Sequence, residues 1–247
     1  MAGQQDAVRV VSVSNATPQG RLSTQAGPPR ALSVMQDGTL LLLDQGGHLH
    51  ADMTWAARPA TSGIESLLDQ GPTDVERLLA ALKRRTATAL ATVSGPVAGS
   101  VVLGDAAGRV AVYGHMTADA VLHKGTVTAV AGLGLSREGG EAVPVLYSGG
   151  ADGTVRAWAP GHSPMPEPVV KRRCPVVSLG AAVTVNGPIV AVAWADGAVD
   201  WIHGDTGAQR TFRPGPPVRS VALTADGRVL IGMGEALTCV TPQEIAP

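Results

Sequence analysis

Six histidines and two cysteines are the residues of this 247-residue chain best suited to metal or nucleophilic chemistry. His48, His50, His115, His123, His162 and His203 fall in different segments and turns, and only "GHLH" brings two close together. On a strand, period two would set His48 and His50 on one face as two metal ligands. Two ligands with no evident third leave a solvated hairpin as the reading, and no metal is expected. Cys174 and Cys239 match no zinc or redox spacing, which predicts two buried free thiols in a reducing cytoplasm. No nucleophile elbow, P-loop or dinucleotide fingerprint occurs, and the glycines of "SGGADG" read as a hairpin turn rather than a phosphate cradle.

Composition narrows the partners. With 45% hydrophobic and 16% charged residues the chain is expected to be globular. A net charge of −1 gives no global field toward nucleic acid or an acidic membrane, and few aromatics accompany the basic residues. Arg dominates the cations, with Lys only at Lys83, Lys124 and Lys171, as a GC-rich, bacterial genome would give. No apolar run approaches the ~18 residues of a membrane span, and the first twenty residues have no apolar core behind a basic start. A cytoplasmic location is expected.

The elements that would position any site repeat along the chain. Hairpin-like pairs of Val/Leu/Ile-rich runs turn at Gly46-Gly47, Ala107-Gly108, Asp152-Gly153, Asp196-Gly197 and Gly234-Glu235. Gly108 to Gly153 is 45 residues, Gly153 to Gly197 is 44 and Gly197 to Gly234 is 37. Ahead of each hairpin lies a run of small and β-branched residues, "RALSVMQDG", "ATALATVSG", "TVTAVAGLG", "CPVVSLGAA" and "PVRSVALTADG", suited to a crowded inner strand. A period near 40 with four strand-sized segments is what a β-propeller blade requires.

The third unit carries a resemblance to the WD-repeat (WD40) family through "LHKGTVTAV" and "YSGGADGTVRAW". That resemblance implies a structural hydrogen-bond chain in which His123 bridges Ser148 and Asp152 while the Trp158 indole donates to Ser148. The match has departures: in the third unit Leu122 replaces the usual Gly and Ala159 follows Trp158, and Arg172 and Pro214 occupy the His position of the fourth and fifth units. The weaker units also fit Kelch-type or quinoprotein-type propellers. The expected architecture is all-β, a single β-propeller over 1–247 with about five WD40-like blades. Val8 to Ser14 is expected to supply the outer strand of the last blade.

Between the first two units Gly47 to Gly108 is 61 residues, and the excess has a helical period. Val75, Leu78, Leu79 and Leu82 share one face, Thr73 and Glu76 form a capping box, and so do Ser62 and Glu65. A helical hairpin inserted at 62–87 is expected, with Lys83, Arg84 and Arg85 at its end, where a helix dipole favours cations. It would either dock a partner or pack on its own first blade. "WAPGHSPMPEPVVKRRCP" adds alternating prolines, extended and cheap to order on binding, beside Lys171, Arg172 and Arg173. These six cations are the partner-binding candidates, set against plain solvated charge. Trp194 and Trp201 read as blade stiffeners. The expected function is a non-catalytic protein-binding scaffold or sensor module in a multiprotein complex, with no cofactor. The alternative is a propeller enzyme or small-ligand binder acting at the central channel.

Overall fold

The computed structural model describes residues 7–11, 18–23, 28–35, 38–52, 74–82, 85–97, 99–136, 142–215, 217–234 and 236–242. The chain divides into two compact units, 1–87 and 88–247.

In the first unit β1 (Ala7–Val11) pairs antiparallel with β2 (Pro18–Ser23). A three-stranded meander follows, β3 (Ala31–Val34), β4 (Leu40–Leu43) and β5 (Leu49–Asp52). Four consecutive leucines are buried in β4, as a central strand covered on both faces requires, whereas β3 alternates half-buried and exposed. Helix α1 (Asp74–Leu82) lies against β5, with Leu82 buried, Leu78 half-buried and Arg77, Ala80 and Ala81 exposed. Its described span runs to Leu82, whose carbonyl accepts the Arg85 N–H at 2.9 Å. The expected first helix, Trp55, Lys83 and Arg84 lie outside the described residues.

The second unit is a series of antiparallel meanders. One contains β6 (Ala89–Ser94), β7 (Val101–Gly104), β8 (Arg109–Tyr113) and β9 (Ala118–Val121). The next contains β10 (Val127–Leu135), β11 (Val143–Gly150), β12 (Thr154–Trp158) and β13 (Val170–Lys171). Then come β14 (Val176–Thr184), β15 (Gly187–Trp194), β16 (Val199–His203) and β17 (Gln209–Phe212). The last is three-stranded, β18 (Val218–Leu223), β19 (Val229–Met233) and β20 (Ala236–Val240). With β3–β5 the described residues hold five blade-like meanders, called the first to fifth sheets below, the second and third being joined through β6 and β10 into one eight-stranded sheet. β1, which overlaps the Val8 to Ser14 segment expected to supply the outer strand of the last blade, is hydrogen-bonded to Pro18–Ser23, and residues 12–14 lie outside the described residues.

Successive sheets of the second unit enclose apolar layers. Val102, Val110 and Val112 of the second sheet cluster with Val127, Val130 and Leu146 of the third. Val155 and Tyr147 cluster with Val176, Val190 and Trp194 of the fourth, whose Ala191, Ala193 and Val199 meet Val218, Val229 and Ile231 of the fifth. Each fully buried Val, Leu or Ile stabilises by about 1.5–3 kcal/mol, so these layers are the main cohesion of the unit. Small residues let the backbones close in. Inner strands β6 and β10 pair in parallel at Gly132↔Val93 and Leu133↔Ser94, and a Cβ on Gly132 would stand 3.2 Å from Val93 Cα.

Candidate functional site

The polar residues of the third sheet converge on His123, which precedes β10. Its Nε2 lies 2.9 Å from Ser148 Oγ, and its Nδ1 lies 3.1 Å from Asp152 Oδ1 and 3.2 Å from Thr154 Oγ1. Glycines make the room: a Cβ on Gly150 would strike His123 Nδ1, and one on Gly149 would strike Val176. Burial pushes the His123 imidazole below its ordinary value, against the pull of Asp152. Asp152 is itself lowered, since burial is outweighed by hydrogen bonds from the Lys124 N–H, the Thr154 hydroxyl and N–H, and His123. One member of the expected chain is placed differently. Trp158 Nε1 donates to the His162 carbonyl at 2.9 Å and not to Ser148, while Thr154, absent from the sequence reading, closes the cluster. The Asp152-Gly153-Thr154 turn carried that signal, because a turn aspartate bonds readily to groups two residues on.

Arg172 occupies the same place before β14 and turns inward. Its Nε and Nη2 bond Asp200 at 3.1 and 2.9 Å, and its guanidinium stands 5.5 Å from the Trp194 ring centre. Trp194 Nε1 and Thr211 Oγ1 also donate to Asp200, at 2.8 and 2.6 Å, so the fully buried carboxylate is well satisfied. The Asp200 hydrogen bond raises the Arg172 pKa further, burial opposing. Arg172 is therefore withdrawn as a partner-binding candidate, because its charge is spent inside the blade. Trp194 is fully buried in this cluster, and Trp201 lies edge-on to His203.

A backbone clasp accompanies both clusters. Gly47, Gly108 and Gly153 sit at positive φ in their hairpin turns, and each carbonyl accepts an N–H from Ala87, His123 or Arg172 respectively, at 2.9 to 3.2 Å. A Cβ on any of these glycines would collide with the carbonyl of that same residue. The fourth turn differs: Pro214 has no N–H to give, and a Cβ on Gly197 would meet nothing nearer than Gly215 O at 3.9 Å.

What remains outward is the strip that leads into β14. Exposure alternates along it, with Lys171, Arg173 and Pro175 outside and Arg172, Cys174 and Val176 turned in, the period-two pattern of an extended chain. Preceding it, residues 159–169 form a proline-bearing loop exposed from Gly161 through Glu167. Of the first-unit cations, Arg85 is exposed.

The "GHLH" pair gathers on Asp44, with His50 Nε2 at 2.9 Å from Oδ2 and the His48 N–H at 2.9 Å from Oδ1. The His50 hydrogen bond, helped by His48, holds Asp44 down at about 2, and both imidazoles are largely exposed. Among the described residues no group of three or more His, Cys, Asp or Glu is arranged to hold a metal ion. Both cysteines are free, but Cys174 is half-buried and Cys239 exposed, not buried as expected, because β20 is an outermost strand.

No protein-family model matches the chain, and no curated protein matches it. Solved structures do. U3-55K is 12% identical, with 94% of this chain and 83% of that one aligned at a TM-score of 0.53. The WD40 repeats of RRP9 are 13% identical, with 94% and 82% aligned at 0.54. The fold is that of a WD40 β-propeller. Its chemistry does not come with that likeness, since identities this low carry the fold and not the function. Among the described residues no helix is long and apolar enough to cross a membrane.

Proposed function

We propose that this propeller is a non-catalytic scaffold or sensor module that holds another protein in a multiprotein complex in the cytoplasm of a bacterial cell. In this reading the two units belong to one propeller, with 62–87 inserted on it, and no cofactor takes part. The observation that carries it is the division of labour around β13. The third and fourth sheets spend His123, Asp152, Arg172 and Asp200 on their own blades, while Lys171 and Arg173 face outward beside an ordered loop. Lys83, Arg84 and Arg85, at the end of the insertion, are the second partner-binding candidates. Short strands joined by elaborated loops offer binding by shape and charge complementarity, which sets orientation and rate of encounter more than raw affinity.

The test is affinity capture of the tagged full-length chain from its native cells, with the mass of the complex determined in parallel. A stoichiometric protein partner that survives moderate salt supports the reading. A clean monomer carrying a small molecule or metal overturns it and moves attention to the central channel.

A further inference from the structure

The connection between the third and fourth strands is short in two sheets, residues 114–117 and 204–208, but runs over 159–169 in the third. That longer connection is pinned at several points. Pro160 is buried, the His162 N–H reaches the Ala159 carbonyl at 3.1 Å, and Trp158 Nε1 holds the His162 carbonyl at 2.9 Å. Farther along, Arg156 Nη1 donates to the carbonyls of Met165 and Pro166 at 3.2 and 3.1 Å, and the Val169 N–H returns to Val155 at 2.8 Å. Arg156 does this at a cost, because its Nε is buried without a hydrogen-bond partner.

The pinned segment has one predominant conformation open to it. Pro164, Pro166 and Pro168 fix every second φ, and each pushes the residue before it, Ser163, Met165 and Glu167, out of the helical region. The result is a pinned ridge, bent at Pro166, Glu167 and Val169, with three positions that lack an N–H, presenting Met165 at 59% exposure and Val169 at 39%. Lys171 and Arg173 continue it on the outward side of the chain.

We infer that residues 163–169 are a preordered proline ridge that seats in an aromatic-lined groove of a partner protein, with carboxylates on the groove rim meeting Lys171 and Arg173. Flat aromatic rings suit a donor-poor proline ridge, and an ordered ridge loses little entropy on binding. Within 163–173 the exposed charges are Lys171, Arg173 and the single Glu167, a positive balance that selects an acidic rim. The inference rests on the scaffold reading and names the partner class for it.

The experiment places a benzophenone amino acid at position 165 of the full chain in its native cells, irradiates, and maps the adduct by mass spectrometry. The expected adduct is to a protein segment rich in Trp or Tyr with Asp or Glu close by. Its yield falls at least tenfold in a Pro164→Ala, Pro166→Ala, Pro168→Ala variant and severalfold in Lys171→Glu, Arg173→Glu, both retaining the wild-type circular dichroism. No adduct, an adduct to lipid, nucleic acid or a segment without aromatics, or a yield indifferent to the prolines overturns the inference. If a stoichiometric partner still co-purifies with the triple proline variant, the ridge is refuted and the scaffold stands. If none co-purifies with wild type, the scaffold fails first.

Discussion

In the third sheet the residue entering the inner strand is His123, held through both ring nitrogens; in the fourth it is Arg172, whose guanidinium grips a buried carboxylate. Both follow the same backbone clasp onto a left-handed hairpin glycine, Gly108 for His123 and Gly153 for Arg172. The backbone position is thus kept while the side-chain chemistry changes. A neutral imidazole bonds a hydroxyl and a carboxylate at modest range, whereas an ion pair needs an acceptor able to take four donors, which Asp200 supplies with help from Trp194 and Thr211. The difference teaches that a cation next to an inner strand is a structural part when it faces in, as Arg172 does, and is left available for binding when it faces out, as Lys171 and Arg173 do.

The largest effect expected from breaking the comparison is at Asp200. Asp200→Ala strands the guanidinium and the Trp194 N–H, and is expected to cost about 3–5 kcal/mol in urea unfolding, as for other broken buried pairs. Ser148→Ala in the third sheet removes one partner of a ring nitrogen and should cost about 1–3 kcal/mol. A loss at Ser148 equal to or above that at Asp200 would erase the distinction between the two sheets.

The glycine turns sharpen it. Gly197→Ala meets only the left-handed backbone, about 1–2 kcal/mol. Gly153→Ala adds a collision with the Arg172 carbonyl and should lower the unfolding midpoint clearly more. Equal losses would show that the clasp contributes nothing.

The smallest expected effect is on pH dependence. His123 is depressed below 6.5 by burial, so an unfolded imidazole takes up a proton that the folded one resists. Its contribution is complete above about 6.5 and is lost as the pH falls toward the lowered folded value. Asp152 and Asp196 are held below the ordinary carboxylate range and Arg172 is raised, so all three keep their charge between pH 7.5 and 5. Hydrogen exchange, corrected for its intrinsic rate, should therefore show residues 143–158 losing protection over that range while 187–203 hold theirs. A uniform response would contradict it.

The periodic part of this fold was legible because, from Gly108 on, hairpin glycines and inner-strand runs recur at intervals of 37 to 45 residues. The His123, Ser148 and Asp152 grouping was legible through the resemblance of the third unit to WD repeats. Trp158 was misread since its acceptor is a backbone carbonyl, which leaves no mark in residue type. Arg172 was misread as surface charge because Asp200 lies 28 residues on; the alternation from Lys171 to Val176 held the clue. The N-terminal strand was assigned to the last blade from edge-closing logic alone, which left its local hairpin partner, Pro18–Ser23, unread.

The central claim is that adjacent cations have opposite duties, and the direct measurement is a matched pair of charge reversals. Arg172→Glu and the double variant Lys171→Glu, Arg173→Glu would each be assayed for urea midpoint and for partner recovered from native cells. The account predicts a crossed result: Arg172→Glu loses several kcal/mol of stability, while the double variant keeps the wild-type midpoint and loses the partner. Partner recovery that is unchanged in the double variant, or that falls only in step with stability in both, would contradict it.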